Sequence, residues 1–442
     1  MNNSSAKRAS IYLGVFMAVV LVAGAVLPLI RQAESSTTAV EPTATVLPTF
    51  PPPPADFSVI SFDQVYLHPS GIFSIGQPTG WNASQPNKGS TIAQINLINN
   101  DQLGVVDAYV EATGVAITPA ELSDHFSQAA ISASWSNFTT WQESSRQMVD
   151  ERLVIDFTVT LQQRTYVARQ TAWTDGTWIY VVRVLVPENA TDYLRFLLDS
   201  FVQSLKPQLE FQGTPLDWDA YYDPQANHII RYPSTWTVTD SAPGRPTSVT
   251  SPDGTVLRVE TRAGVTIADE AAARSFVEGE RSGISIVSVT PLQRGLGQGF
   301  AVAYSYTTVD GSKESGLYVL LNSSDGNLHV ANLLFPASGV DLNTVALSAS
   351  AIEVTAEPTA DSSSGAYDTL AQVMGTFYVI EPLNLSAQSM PATPTPLPTL
   401  APTAVPTSEA TVESTAEATP EAVPEATVES TVEATPEATA ES

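Results

Sequence analysis

The sequence predicts an α+β protein of two tandem repeats, each an antiparallel sheet flanked by helices, with an N-terminal transmembrane helix and disordered ends. Three observations predict it. A set of five residues recurs in the middle of the chain at a constant offset of 155 positions. Short β-patterned runs joined by Asp-Gly turns fill both copies, and an amphipathic helical pattern closes each. The rest is one uncharged apolar run and two low-complexity tracts rich in Pro and Thr.

The apolar run comes first. Residues 1–10 carry Lys7 and Arg8 and no acid, and residues 11–30 (IYLGVFMAVVLVAGAVLPLI) hold no charge at all. A twenty-residue helix spans about 30 Å, the thickness of a bilayer's hydrocarbon core. The basic excess on its N-terminal side predicts a cytoplasmic N-terminus and a translocated remainder. The rival reading is a cleaved signal peptide with Ala23-Gly24-Ala25 as its small-x-small site. That site lies inside the apolar run, which continues through Val26 to Ile30, so a retained single-pass anchor is preferred. Both readings place the bulk of the chain outside the cytoplasm.

Residues 31–56 are rich in Ser, Thr and Pro and end in Pro51 to Pro54. They cannot bury a core and favour extended polyproline II geometry, so they read as a spacer. Residues 386–442 form a Pro/Thr/Glu-rich acidic tail in which Glu409, Glu413, Glu417, Glu421, Glu425, Glu429, Glu433, Glu437 and Glu441 recur every four positions. Like charges at i,i+4 oppose a helix, and Pro420, Pro424 and Pro436 interrupt one, so the expected state is an extended polyanion. A stalk and an inert solubilising tail both fit it.

Composition excludes several functions. The chain has no cysteine, hence no disulfide framework, thiolate metal site or thiol nucleophile. With 46 acids against 19 bases the formal charge is −27, which disfavours nucleic acid and anionic lipid surfaces as partners.

Two folded units are expected at 57–207 and 208–385. In the first stand Tyr66, Pro69, Ile75, Pro78 and Trp81, and in the second Tyr221, Pro224, Ile230, Pro233 and Trp236. The first proline of each set suits a turn, a short strand follows (Ile72 to Ile75; Ile229 to Tyr232), the second proline ends its pairing, and Trp anchors a core. Further on, Asp175-Gly176 opens the strand Thr177 to Val186, and Asp325-Gly326 opens Asn327 to Phe335. Leu194, Leu197, Leu198 and Phe201 match Leu370, Val373, Met374 and Phe377 as one buried helical face. An earlier helix is expected from the capping box at Thr118 and Glu121 to about Ser132, and another over Ala268 to Gly279. Leu153 to Thr160 and Phe300 to Thr307 read as strands, the second with Phe300, Val302, Tyr304 and Tyr306 facing inward on a one-sided sheet. The second unit carries an insertion at 337–366, long enough to be functional or disordered.

This order of elements, with the opening strand followed by Pro-x2-Trp and the closing amphipathic helix, resembles the PsbP-like family of lumenal and extracytoplasmic domains. The resemblance implies an α/β/α sandwich in each copy and a non-enzymatic role supporting a membrane complex. It carries over no photosystem-binding or metal-binding residue.

Candidate chemistry is sparse. His68, His125, His228 and His329 show no HExxH or His-x-His spacing and read as structural. Asp217, Asp219 and Asp223 could hold Ca²⁺ but lack the Gly turn and terminal Glu of a calcium loop, so a solvated linker is the expectation. Gly295, Gly297 and Gly299 precede a strand, not a helix, and read as a flexible turn, not a nucleotide loop. Trp173 and Trp178 are candidates for a sugar-stacking face or, more simply, core. No catalytic, cofactor-binding or metal residue is assigned. The expected function is a membrane-anchored, extracytoplasmic, non-catalytic binding or scaffold protein with an envelope protein as partner. The alternative is a ligand- or glycan-binding module using an inter-domain groove or the insertion.

Overall fold

The computed structural model describes residues 54–335, except 85, 102, 240 and 312, and residues 365–389. The apolar run 11–30, most of the spacer, positions 337–364 of the insertion and the tail from 390 lie outside the described residues. Among the described residues no helix is long and apolar enough to cross a membrane.

The first half opens with β1 (Val65–Leu67), β2 (Phe73–Gly76), β3 (Asn82–Ala83), β4 (Asn87–Lys88), β5 (Ile92–Asn99) and β6 (Gly104–Ala112). Two short helices follow, α1 (Leu122–His125) and α2 (Gln128–Ser134). Then come β7 (Thr140–Val149), β8 (Arg152–Leu161), β9 (Arg164–Thr174), β10 (Trp178–Pro187), α3 (Thr191–Ser204) and β11 (Lys206–Pro207). The second half opens with β12 (Asp219–Asp223), β13 (His228–Tyr232), β14 (Thr237–Thr239), β15 (Thr247–Thr250), β16 (Val256–Ala263) and α4 (Glu270–Glu280). It continues with β17 (Ile284–Arg294), β18 (Gly297–Thr307), β19 (Lys313–Asn322), β20 (Asn327–Phe335), α5 (Gly365–Gly375) and β21 (Tyr378–Val379).

The strand order repeats. The large sheet of the first half runs β3-β5-β6-β10-β9-β8-β7, with β4 also on β5, and that of the second runs β14-β15-β16-β20-β19-β18-β17. Each half adds a small sheet, β1-β2-β11 and β12-β13-β21. Neighbouring strands are antiparallel throughout these sheets. The described residues thus form an α+β protein dominated by antiparallel sheet with few helices.

Burial explains the residue choice. Every residue of β10 is buried, because the sheet is covered on both faces and such strands become continuous apolar runs. Trp178, Tyr180, Val182, Val184 and Val186 enter the core beneath α3 and the small sheet. Ile179, Val181 and Leu185 enter the core on the other face with Leu122, Ile131 and Trp135. The one-sided sheet expected at β18 is corrected for the same reason: Phe300, Val302, Tyr304 and Tyr306 pack toward α4, while Ala301 and Ala303 are buried against the α5 side. The edge strands β7 and β17 are polar or half-exposed and bulged, between Glu143 and Ser145 and between Ile286 and Ser288. Bulges and polar side chains keep an edge from pairing with another chain.

Other expectations shift locally. The helix expected over 118–132 is three pieces: a 3₁₀ turn at Pro119–Glu121, then α1, then α2. Glu121 still reaches back to the Thr118 N–H at 2.8 Å, but Phe126 leaves helical geometry (φ −87°, ψ 44°) to bury its ring in the core below. Phe377 lies beyond α5, yet shares a core with Val373 and Met374. Residues 386–389, read as the start of the tail, pack on the first half: the Ser386 N–H donates to Val65 O at 2.8 Å and Ser389 Oγ accepts from the Leu67 N–H at 2.9 Å.

Candidate functional site

The β1–β2 hairpin of the first half is where the two halves meet. Its turn is Pro69-Ser70-Gly71, with the Gly71 N–H donating to His68 O at 2.7 Å. Gly71 has φ +73°, and a Cβ there would stand 2.7 Å from the Ala220 Cβ and 3.1 Å from Ile229 Cδ1. Glycine is therefore required twice, by the left-handed backbone and by the approach of β12. His68 stiffens the turn from beneath. Its Nδ1 pairs with Ser70 Oγ at 2.7 Å, its Nε2 with Gln94 O at 3.2 Å, and its ring stacks on Phe73. Burial pushes its pKa down to about 3, so it is a neutral structural group.

Four sets of contacts lock the first half to the second around this hairpin. The Ala220 N–H donates to Pro69 O at 2.8 Å. Arg231, on β13 and fully buried, donates from Nε to Ser70 O at 2.6 Å, from Nη2 to Pro215 O at 2.5 Å and from Nη1 to Thr214 Oγ1. Its guanidinium stacks over Phe211 and Trp218, 5.4 and 6.0 Å from their centroids, a cation–π arrangement that offsets part of the desolvation. Lys88 pairs with Asp219 across the junction. Finally residues 383–389 cross back onto the first half, with Val65 donating to Asn384 O at 2.9 Å and Leu385 pairing in parallel with Val65. The Gln388 side chain accepts from the Ala83 N–H at 2.7 Å and from Gln77 Nε2. The described residues of both halves accordingly belong to one compact unit.

Between hairpin, β12 and this C-terminal strap lies a cleft of about 340 Å³. Tyr66, Tyr221, Tyr222, Tyr232, Asp219 and Gln388 are among its lining residues. The volume falls at the lower end of small-molecule sites, which run from about 300 to 1,000 Å³. Burial pushes the Tyr66 phenol up to about 12 and raises those of Tyr221, Tyr222 and Tyr232. All four stay protonated at neutral pH and offer aromatic surface with hydroxyl donors, not phenolate nucleophiles. The lining thus presents aromatic faces and hydroxyl groups beside the Asp219 carboxylate.

The other candidates fall elsewhere. Of Asp217, Asp219 and Asp223, the last two are not linker residues. Asp219 and Asp223 are strand residues, and buried Asp223 accepts from Gln225 N and Gly244 N at 2.8 Å each. Trp178 is core, and Trp173 stacks on its cross-strand partner Tyr180, with the Arg152 guanidinium carbon 5.4 Å from its centroid. The glycines at 295–299 are not a flexible turn. Leu296 N–H donates to Val379 O at 2.8 Å, and a Cβ on Gly295 would stand 2.3 Å from that oxygen. His125 pairs with Glu111 at 3.1 Å. A grouping unseen in the sequence is His228 with His329, Nδ1 to Nδ1 at 3.4 Å with the Thr261 hydroxyl beside both. These two are 101 positions apart and no local spacing links them. Among the described residues no three His, Asp or Glu side chains converge as a metal site requires.

No family model matches this chain, and no curated protein matches it. Solved structures similar to it include cyanobacterial PsbP (CyanoP) from Synechocystis sp. PCC 6803, at 11% identity over 37% of this chain and 92% of that one, with a TM-score of 0.25. A protein of Bacteroides thetaiotaomicron VPI-5482 is 11% identical over 34% of this chain and 49% of that one, TM-score 0.24. The T6SS immunity protein TplEi of Pseudomonas aeruginosa is 12% identical over 68% of this chain and 98% of that one, TM-score 0.20. At these scores none of the likenesses bears on what this chain does.

Proposed function

We propose that this chain is a membrane-anchored, extracytoplasmic, non-catalytic binding or scaffold protein, with 57–207 and 208–385 as two PsbP-like domains. The anchor reading rests on the uncharged run 11–30 behind Lys7 and Arg8, and the acidic balance favours a partner other than nucleic acid or anionic lipid. The observation that carries the binding reading is the Arg231–Ser70 junction, which holds the two repeats together beside a tyrosine-lined cleft. Rigid concave surfaces bind partners at low ordering cost.

The test is site-specific photo-crosslinking in intact cells. A crosslinker at Ser241 or Gln388, both on the cleft, is expected to capture one defined envelope partner, while one at exposed Gln147 on β7 captures none. Equal yields from all three positions would remove the cleft from the proposal. The second reading, a glycan or other small ligand, is favoured by the four tyrosines and the Asp219 carboxylate in the same cleft. A thermal-shift screen of oligosaccharides distinguishes it, with Tyr221→Ala abolishing any shift.

A further inference from the structure

The face of the first large sheet that packs on α1 and α2 carries a polar row through its centre. Asn96 on β5, Asp107 on β6, Arg183 on β10 and Gln170 on β9 are successive cross-strand partners. Their exposures are 4%, 0%, 2% and 0%. Gln94 Nε2 donates to Asp107 Oδ1 at 2.6 Å, and Gln170 Oε1 accepts from Arg183 Nε at 3.0 Å and from its Nη2. The two hydrogen bonds donated by the guanidinium fix which end of the Gln170 amide is oxygen. Trp135 covers the row, its ring centroid 4.7 Å from the Arg183 guanidinium carbon.

These bonds satisfy only part of the row. Arg183 Nη1, Gln170 Nε2 and Trp135 Nε1 are buried donors, and Asp107 Oδ2 and Asn96 Oδ1 are buried acceptors, with no protein partner within hydrogen-bond distance. Buried polar groups in folded proteins are almost always paired, and each unpaired one carries its full desolvation cost. The matching face of the second sheet solves the problem with protein alone: Glu260 pairs with Arg258 and Arg262, and Arg262 with Glu280.

We propose that ordered internal water completes the row, held among Arg183 Nη1, Asp107 Oδ2, Asn96 Oδ1, Gln170 Nε2 and Trp135 Nε1. The orphans are three donors and two acceptors, and water both accepts and donates, so it can meet groups of either kind. An anion would face the Asp107 and Asn96 oxygens, a cation would face the guanidinium, and an apolar molecule would satisfy none. Buried waters characteristically make about three bonds to such atoms. Asp107 agrees with the placement, since burial pushes its pKa up to about 6 despite the nearby Arg183 charge, as expected of a carboxyl without a direct ion pair.

Two measurements on the full chain test this. A high-resolution crystal structure is expected to show solvent density about 3 Å from both Arg183 Nη1 and Asp107 Oδ2. In solution, the Trp135 indole N–H, assigned through Trp135→Phe, is expected to cross-relax with water. The folded double variant Asp107→Leu/Arg183→Met should lose that signal. Direct Arg183–Asp107 pairing with no density between them, density for a larger molecule, or a silent Trp135 indole in the unsubstituted chain overturns the proposal.

Discussion

Arg231 Nε of the second repeat donates to the backbone carbonyl of Ser70 in the first, at 2.6 Å and out of contact with solvent. The bond joins the turn of one small sheet to a strand of the other, and the guanidinium donates to three neutral oxygens, Ser70 O, Thr214 Oγ1 and Pro215 O, with the Asp217 and Asp219 carboxylates near enough to favour its charge. Removing the side chain takes a donor from all three, although Thr214 Oγ1 still donates to Phe211 O at 2.6 Å. Arg231→Ala is expected to lower stability by about 2–5 kcal/mol. Gly71→Ala, which meets both positive φ and Ala220, is expected to cost about 1–3 kcal/mol. Chemical denaturation followed by tryptophan fluorescence checks both, and we expect Arg231→Ala to split one transition into two as the repeats uncouple.

The strap makes the first repeat depend on residues at the end of the second. Leu385 packs against the first core, and Val65 and Leu67 donate to Asn384 O and Ser389 Oγ. Leu385→Asp should therefore accelerate amide exchange at Val65 and Leu67 by about tenfold or more, while the β10 amides stay protected. Unchanged exchange at those two amides would show that β1 does not need the strap.

Stability should fall on acidification. Burial holds His68 and His228 at about 3 and also lowers His329. A folded-state pKa below the unfolded value means the unfolded chain takes up protons first. The contribution is thus complete above about pH 6.5 and is lost as pH falls toward 3. Asp107, raised to about 6, works the other way between about pH 4 and 6, but one carboxyl opposes three histidines. The His228 Nε2 has no partner to lose, so His228→Phe should remove about 1.4 kcal/mol per pH unit from the acid slope. Melting temperatures from pH 7 to 4 read this directly, and an unaltered slope would exclude His228 as a contributor.

Two hairpins carry avoidable backbone strain. The β7–β8 turn is Asp150-Glu151, at φ 49° and 62°, and the β8–β9 turn is Gln162-Gln163, at φ 50° and 63°. Two-residue turns with both φ positive favour Asn-Gly. Gln162→Asn/Gln163→Gly is expected to raise stability by about 1–2 kcal/mol, measured as a shift in denaturation midpoint.

Those turns also explain much of what sequence reading missed. The strands after Asp175-Gly176 and Asp325-Gly326 were legible because their turns carry glycine where the backbone demands it. The β7–β8–β9 meander was only partly legible, because Gln-Gln and Asp-Glu announce no turn. The continuous burial of β5 shows no period-two pattern, since both its faces are covered. In the candidate site, Tyr66 and Tyr221 stood out only as members of the repeat. Their meeting with Asp219 and Gln388 around one cleft joins residues more than 300 positions apart.

Local chemistry was enough for the tandem pattern, the closing helical faces, the cysteine-free acidic composition and the strand opened by Asp175-Gly176, because turns, periodicity and charge act over a few residues. Arg231 on Ser70, His228 beside His329, and the row from Asn96 to Gln170 are different in kind. Each depends on sheet register and on the packing of one repeat against another. Register is a property of paired strands, so it exists only once the chain has brought them together.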